Sequence, residues 1–451
     1  MSRAKIAAVL AVVMATAVVS GCDRASDRQA KGVTASGSPT GDPDRQGPAP
    51  RWSRTVATGS HWVGAFDDVA VLTDEGSIVG VGSRSGDELW KHDLPSGVRL
   101  HVVDKLIVLA KAPGTVEVIN PATGATVWKK DVPDKTVQVY KRAVYTDNCE
   151  NRGANAPGAC RITAHDVTDG RVLWTAPAAI SGVGWNRIGP HHPYAPDAGA
   201  YLVAGNGAAG KRYGAIDEKT GQPLPGHTTG AGWAIFAVGP LLVTTDHDPP
   251  PGDSNCTVTM AAVDARTGAA AWSGKVFSGR QKDNTCAKSL AGENVQDIVG
   301  AQTRIAAVTA TGRPQVFDLA TGRTVWAGDK AGVPLDTDGT SLLVRQSADT
   351  GELAVLDFET GKPRWTAPDP GLEGNSASWD TTVTSGLVAV SCGFGRGQAC
   401  VVVYDAATGK QLGRFPGWLA GAGTGWVAIS HHDRESRSAD TLKLDFIVFD
   451  N

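Results

Sequence analysis

One turn recurs eight times along this chain, and it limits the possible folds more than any other feature. Each copy runs from an apolar stretch through an acidic or amide residue, two further residues, then typically Thr-Gly, three residues and often Trp. The glycines are Gly86, Gly124, Gly170, Gly221, Gly268, Gly322, Gly361 and Gly409. A spacing of roughly 40 to 50 residues is that of a blade array, in which each unit buries its apolar surface against the next.

The acidic or amide position lies four residues before the Gly. It is filled by Asn120, Asp166, Asp217, Asp264, Asp318, Asp357 and Asp405, with Gly82 in the first copy. Such side chains accept from backbone amides two residues on and so start turns. The Gly supplies the positive φ that a tight strand connection often needs. Four residues after the Gly stand Trp90, Trp128, Trp174, Trp272, Trp326 and Trp365; Pro225 and Gly413 replace Trp in the remaining copies. Trp offers a large apolar face for packing between blades and one N–H that needs a partner. The preceding stretches, such as Val401-Val402-Val403-Tyr404, are β-rich. The recurring aspartates are therefore expected to be turn residues spread round a ring, with no catalytic carboxylate pair among them.

The pattern resembles the PQQ-type propeller repeat, whose consensus is close to A-x-D-x-x-T-G-x-x-x-W. The cleanest copy runs from Ala262-Val263-Asp264 through Thr267-Gly268 to Trp272. The resemblance covers roughly residues 51 to 450 and implies an all-β fold, a propeller of four-stranded blades around a channel. Naming the strands of a blade A to D from the axis outwards, the Thr-Gly turn joins C to D. Leu442 to Asp450 reads as a C strand with no D strand after it, and Arg51 to Val56 as a D strand with no C strand before it. Pairing these two would close the ring and cover two sheet edges. The strict count is then eight turns plus one composite blade, or nine; eight blades, the commoner number for such repeats, is the expectation. The fourth repeat, Asp217 to Gly226, is the weakest.

Residues 1–21 read as a lipoprotein signal peptide. Arg3 and Lys5 supply positive charge, Ile6 to Val19 is an apolar run too short to be a good spanning helix, and Val19-Ser20-Gly21-Cys22 looks like a lipobox. The box implies cleavage before Cys22 and acylation of its thiol, and stable anchoring needs two or three acyl chains. Residues 22–50 are then a lipidated cysteine and a polar tether that buries too little to fold, reaching roughly 30 Å as a flexible coil. Residues 51–451 are the propeller domain. The expected location is the cell membrane, lipid-anchored on the extracytoplasmic side, with the lipid as the sole membrane contact. A formal net charge of −3 without a basic run argues against sequence-independent nucleic-acid binding. The domain is expected to be monomeric.

Six cysteines remain after Cys22, an even number in an exported chain. The sequence alone leaves fifteen pairings open. The blade arrangement favours Cys149 with Cys160 and Cys392 with Cys400, each flanking a B–C loop, and Cys256 with Cys286 across a C strand and the next D–A connection. Each bridge would contribute roughly 2 to 4 kcal/mol. B–C and D–A connections leave a propeller on the same face. The long stretches Asp246 to Asn255, Ser278 to Gly292 and His431 to Ala439 belong to that face, where loops on a rigid scaffold would meet other envelope or secreted proteins.

No catalytic, cofactor or metal residues are assigned. Asp246-His247-Asp248, His191-His192 and His431-His432 could suggest a metal, but none shows the three or four converging ligands that a site needs; adjacent histidines on loops are usually solvated. There is no G-x-S-x-G nucleophile elbow. Relatives by repeat include quinoprotein dehydrogenases, whose alcohol-dehydrogenase type typically carries an adjacent Cys-Cys disulfide over the quinone; this chain has no Cys-Cys dipeptide. The chain is similar instead to the non-enzymatic branch of lipid-anchored propellers, such as outer-membrane assembly factor B, which implies a scaffold or adaptor without a cofactor. A propeller that captures a small molecule or glycan in its channel is the alternative. Trp185, Trp233, Trp379 and Trp418 lie outside the repeat position, and structural packing is their expected use.

Overall fold

The computed structural model describes residues 46–57, 63–103, 105–111, 114–132, 136–140, 143–149, 160–177, 201–206, 212–229, 235–248, 255–280, 299–309, 311–346, 351–370, 381–392, 399–432 and 441–449. Every regular element among them is a β-strand, and all strand pairs are antiparallel neighbours within small sheets. The first sheet comprises Val63–Phe66, Val69–Asp74, Ser77–Gly82 and Glu88–Asp93. The second runs from Arg99–Val103 to Thr126–Val132, the third from Thr136–Tyr140 to Val172–Pro177, the fifth from Ile235–Val238 to Ala270–Arg280. The sixth runs from Gly300–Ala301 to Arg323–Ala327, the seventh from Gly332–Thr337 to Pro363–Pro368, the eighth from Thr381–Val383 to Gln411–Pro416. Each of these has four strands in sequence order.

The fourth sheet, Tyr201–Asn206, Arg212–Asp217 and Pro223–Thr229, holds three described strands in the B, C and D positions. The ninth is composite: Trp418–Gly423, Trp426–His432 and Thr441–Val448 are completed by Trp52–Ala57. The described residues therefore form nine sheets where eight blades were expected. The weakest repeat, around Asp217, still folds as a sheet of its own, since its turn bonds are intact although its Trp is missing.

Strand position explains strand composition. B and C strands are covered on both sides and read as unbroken apolar runs: Leu387–Cys392 is buried at every residue, and Leu353 to Leu356 likewise. The outer strands alternate, as in Pro363–Pro368, because one side meets solvent. Successive sheets share apolar clusters. Trp90 and Val71 of the first pack with Ile107 and Leu109 of the second, and Val402 and Tyr404 of the eighth with Leu343 and Trp365 of the seventh. The composite sheet packs on the first through Trp426, Ala428 and Phe446 against Val63, Ala70 and Leu72. There the backbones come so close that a Cβ on Gly421 would stand 2.7 Å from the Val63 carbonyl.

The expected pairing of chain ends is present. Trp52 to Ala57 run antiparallel to Phe446 to Thr441, and the Trp52 ring stacks on Phe446 with centroids 3.7 Å apart. Three stretches expected to begin loops are strand instead. Asp246–Asp248 pair with Thr259 to Thr257, Ser278 to Arg280 with Thr257 to Asn255, and His431 and His432 with Lys443 and Leu442. In each case the opposite strand continues far enough to take up their backbone groups.

Candidate functional site

The repeated turn is the most regular local geometry in the molecule. In the copy at Asp264 the carboxylate accepts from the Arg266 and Thr267 amides at 3.0 and 2.7 Å and from the Thr267 hydroxyl at 2.9 Å. The Gly268 amide donates to the Asp264 carbonyl at 2.8 Å. The Thr and Gly bonds recur at Asp357 and Asp405, and Asn120 accepts from the Ala122 amide at 2.9 Å. These bonds favour the ionised carboxylate. The Thr168 hydroxyl holds Asp166 below its usual range, the Thr267 amide Asp264, the Arg364 guanidinium Asp357 and the Thr408 hydroxyl Asp405. The aspartates are caps within separate turns and do not converge.

Seven of the turn glycines, all but Gly268, also face a Trp of the preceding sheet. Gly361 has φ +70°, and a Cβ there would stand 2.5 Å from the Trp326 ring; at Gly409, also at +70°, the nearest ring atom of Trp365 would be 2.6 Å away. The Trp90 and Trp365 indoles donate to the Pro121 and Ala406 carbonyls, both at 2.8 Å, and Trp326 to Phe358 at 2.9 Å. The repeat Trp thus closes over the turn of the next sheet, which needs a left-handed residue without a side chain. Trp272 packs on Gly322 in the same way, but its N–H has no partner among the described residues. Trp52 takes the same role from the composite sheet, over Gly86 and bonded to the Ser83 carbonyl at 3.0 Å. This residue was not recognised from sequence, although its strand was read as an outer one.

The antiparallel order places every B–C and D–A connection at one end of the sheets and the Thr-Gly turns at the other. At the loop end the Cys392–Cys400 disulfide is formed between residues in register. Cys149 and Cys160 also stand opposite one another in backbone register. Cys256 lies near the start of the fifth sheet's C strand, and Cys286 lies outside the described residues. Near this end Arg345 and Asp369 form a buried ion pair at 2.6 Å. In the composite sheet Ser53 donates to buried Asp445 at 2.6 Å, with Lys443 3.5 Å and His431 3.9 Å from its carboxylate. His101, on the inner strand of the second sheet, is pushed down to about 4 by burial and by Arg99, so it is neutral at pH 7. Burial pushes Tyr404 up to about 12, helped by Asp369; its hydroxyl donates to the Pro368 carbonyl at 3.2 Å. The Arg345–Asp369, Ser53–Asp445 and Tyr404–Pro368 contacts had no signal in the sequence, because each joins different strands or their ends.

Among the described residues no group of three or more His, Cys, Asp or Glu is placed to hold a metal ion. Asp246, His247 and Asp248 stand at successive positions of one strand. His191, His192, Trp185, Trp233, Trp379 and most of the long loops lie outside the described residues, as does Cys22. Trp418 is half-buried at the start of the composite sheet's inner strand.

Sheets of this order with this turn define a propeller built from PQQ-type repeats. The family model described as outer membrane protein assembly factor BamB matches residues 74–233 and 252–367, more than half of the chain, and the chain belongs to that family. Among solved structures the chain is similar to BamB from Moraxella catarrhalis at 13% identity and TM-score 0.36, covering 77% of this chain and 97% of that one. It is also similar to the quinohemoprotein alcohol dehydrogenase ADHIIG from Pseudomonas putida HK5, at 14% identity, TM-score 0.38 and coverage of 87% and 75%. The dihydro-heme d1 dehydrogenase NirN gives 13%, 0.42, and 83% and 78%. No curated protein matches the chain.

Proposed function

We propose that this protein is a non-enzymatic scaffold of the cell envelope, anchored by lipid at Cys22, whose propeller presents its loop face to other envelope or secreted proteins. The observation that carries the reading is the division between the two ends of the sheets. Among the described residues one end is built of short, self-bonded turns that leave little to recognise, and the other carries the B–C and D–A connections on one rigid frame. Membership of a family described by an assembly factor supports a protein partner over a small substrate. The lipobox supports the location.

The test is capture of tagged, crosslinked protein from intact membranes beside a Cys22→Ala version, with charge reversals in residues 279–292. A specific partner that is lost with the anchor and weakened by the loop changes supports the scaffold. Ligand-dependent thermal stabilisation without any enriched partner, or dye reduction after addition of quinone and calcium, overturns it.

A further inference from the structure

We infer that the outer edge of the eighth sheet is a seat for this chain's own lead-in segment, residues 46–50, and that glycine at position 413, where the repeat has Trp, keeps the seat open. At every junction with the usual anchor, a Trp of one sheet covers the turn glycine of the next. Between the eighth and ninth sheets both halves are missing: Gly413 stands at the Trp position, and the composite sheet takes its outer strand from Trp52–Ala57, so no Thr-Gly turn joins its two outer strands.

The lead-in segment lies across this gap. Gln46 forms an isolated antiparallel bridge with Arg414, its amide donating to the Arg414 carbonyl at 2.9 Å and its carbonyl accepting from the Arg414 amide at 2.6 Å. Five residues later the Arg51 amide donates to Phe446 at 2.8 Å in the ninth sheet, where the Trp52–Ala57 strand begins. The segment therefore straps the outer edges of the two sheets together. A Cβ at Gly413 would meet the buried Phe415 ring first and would stand 2.8 Å from the Gln46 carbonyl, so Phe415 and the strap together occupy the space that a Trp would take. Gly47 meets Gly413 with φ +126°, and a Cβ on it would lie 2.9 Å from the Gly413 Cα and 3.1 Å from the Phe415 ring. The prolines at 48 and 416 lack the N–H that further rungs on either side would use, which limits the contact to one rung. The occupied edge is withdrawn from strand addition by other chains.

Amide exchange in the full chain tests this. In Gly47→Val, which alters one exposed residue, the Arg414 amide should exchange at least ten-fold faster, while the Gly417 amide, bonded to Ala399, keeps its protection. A chain with Gln46→Cys and Arg414→Cys should crosslink within one molecule on mild oxidation. Unchanged Arg414 exchange in Gly47→Val, or crosslinks formed only between two molecules, would falsify the assignment; the latter would make the occupant a second copy.

Discussion

Trp52 donates its indole N–H to the backbone carbonyl of Ser83 across 3.0 Å. The bond joins the composite sheet to the first sheet and so ties the start of the domain to the blade that follows it. Trp52→Ala should cost about 3 to 5 kcal/mol, the range for a large aromatic removed from a core. Trp52→Phe keeps most of the stacking on Phe446 and leaves the Ser83 carbonyl unpaired, for about 1 kcal/mol. Urea unfolding of the two variants checks this, and equal losses would mean that the bond, and not the ring, dominates.

Two glycines with the same backbone angle separate strain from contact. Gly76 has φ +71° and open space around its missing Cβ, whereas Gly361 has φ +70° and the Trp326 ring beneath it. Gly76→Ala should therefore cost about 1 to 2 kcal/mol from the left-handed backbone alone. Gly361→Ala adds overpacking and should cost about 2 to 4 kcal/mol. Thermal unfolding of the pair is the measurement, and an equal shift would show that the ring moves aside freely.

The turn aspartates set a dependence on acid. The carboxyls of Asp166, Asp264, Asp357 and Asp405 are held below their ordinary values in the folded protein. Such groups stabilise above the unfolded carboxylate value of about 3.9, and that contribution is lost as pH falls through the folded values. Melting temperature should fall between pH 5 and pH 3. In Asp405→Asn the fall should be shallower, because Asn120 shows that an amide can cap the same turn. Asp357→Asn should also lower stability at pH 7, since Arg364 loses its partner at 2.8 Å. An Asp405→Asn profile parallel to that of the unaltered protein would remove these turns from the acid response.

Opening the Cys392–Cys400 bridge frees a short loop, with a sequence separation of 8. The chain-entropy relation puts the loss at about 2.5 kcal/mol for Cys392→Ser with Cys400→Ser. Peptide mapping without reductant should also recover Cys149 with Cys160 and Cys256 with Cys286. Recovery of Cys256 with a different cysteine would redraw the bracing of the loop face.

Removing one member of a buried ion pair gives the largest single-residue effect expected at the loop end. Arg345→Ala leaves Asp369 buried without its cation, for about 3 to 5 kcal/mol. Replacing both, as Arg345→Met with Asp369→Leu, should recover most of that loss. Urea unfolding of the single and double variants decides, and an undiminished loss in the double variant would show that the pair's other contacts matter more than its charge.

Local chemistry was legible in the sequence; contacts between distant strands were not. The turn could be read because Asp264, Thr267 and Gly268 make their bonds within a few residues of one another. The pairing of Arg51 to Val56 with the last strand followed from counting strands. Trp52 could have been recognised by the same count, since it opens an outer strand as Trp90 nearly does. The strap could not, because Gly47 has meaning only beside Gly413, and a lone glycine in a polar stretch has no periodic signal. His431 and Asp246 read as loop residues in the sequence because polar side chains at a strand's end break the alternation by which strands are recognised. The ion pair of Arg345 and Asp369 depends on how two strands of one sheet end, which no local pattern encodes.

The strand that pairs with Trp52 to Ala57 lies at the far end of the sequence. A ribosome releases Trp52 with the first residues of the domain and its partner Phe446 with the last. Until then the indole has the first sheet to cover but no Phe446 to stack on, and its own sheet cannot form. Closure is a contact of nearly maximal sequence separation, the kind that forms late and slowly. Blades in the middle of the chain can assemble meanwhile, each on the one before it. For most of its synthesis this protein is therefore an open arc with two unpaired sheet edges, and that arc is the form a folding helper would have to protect.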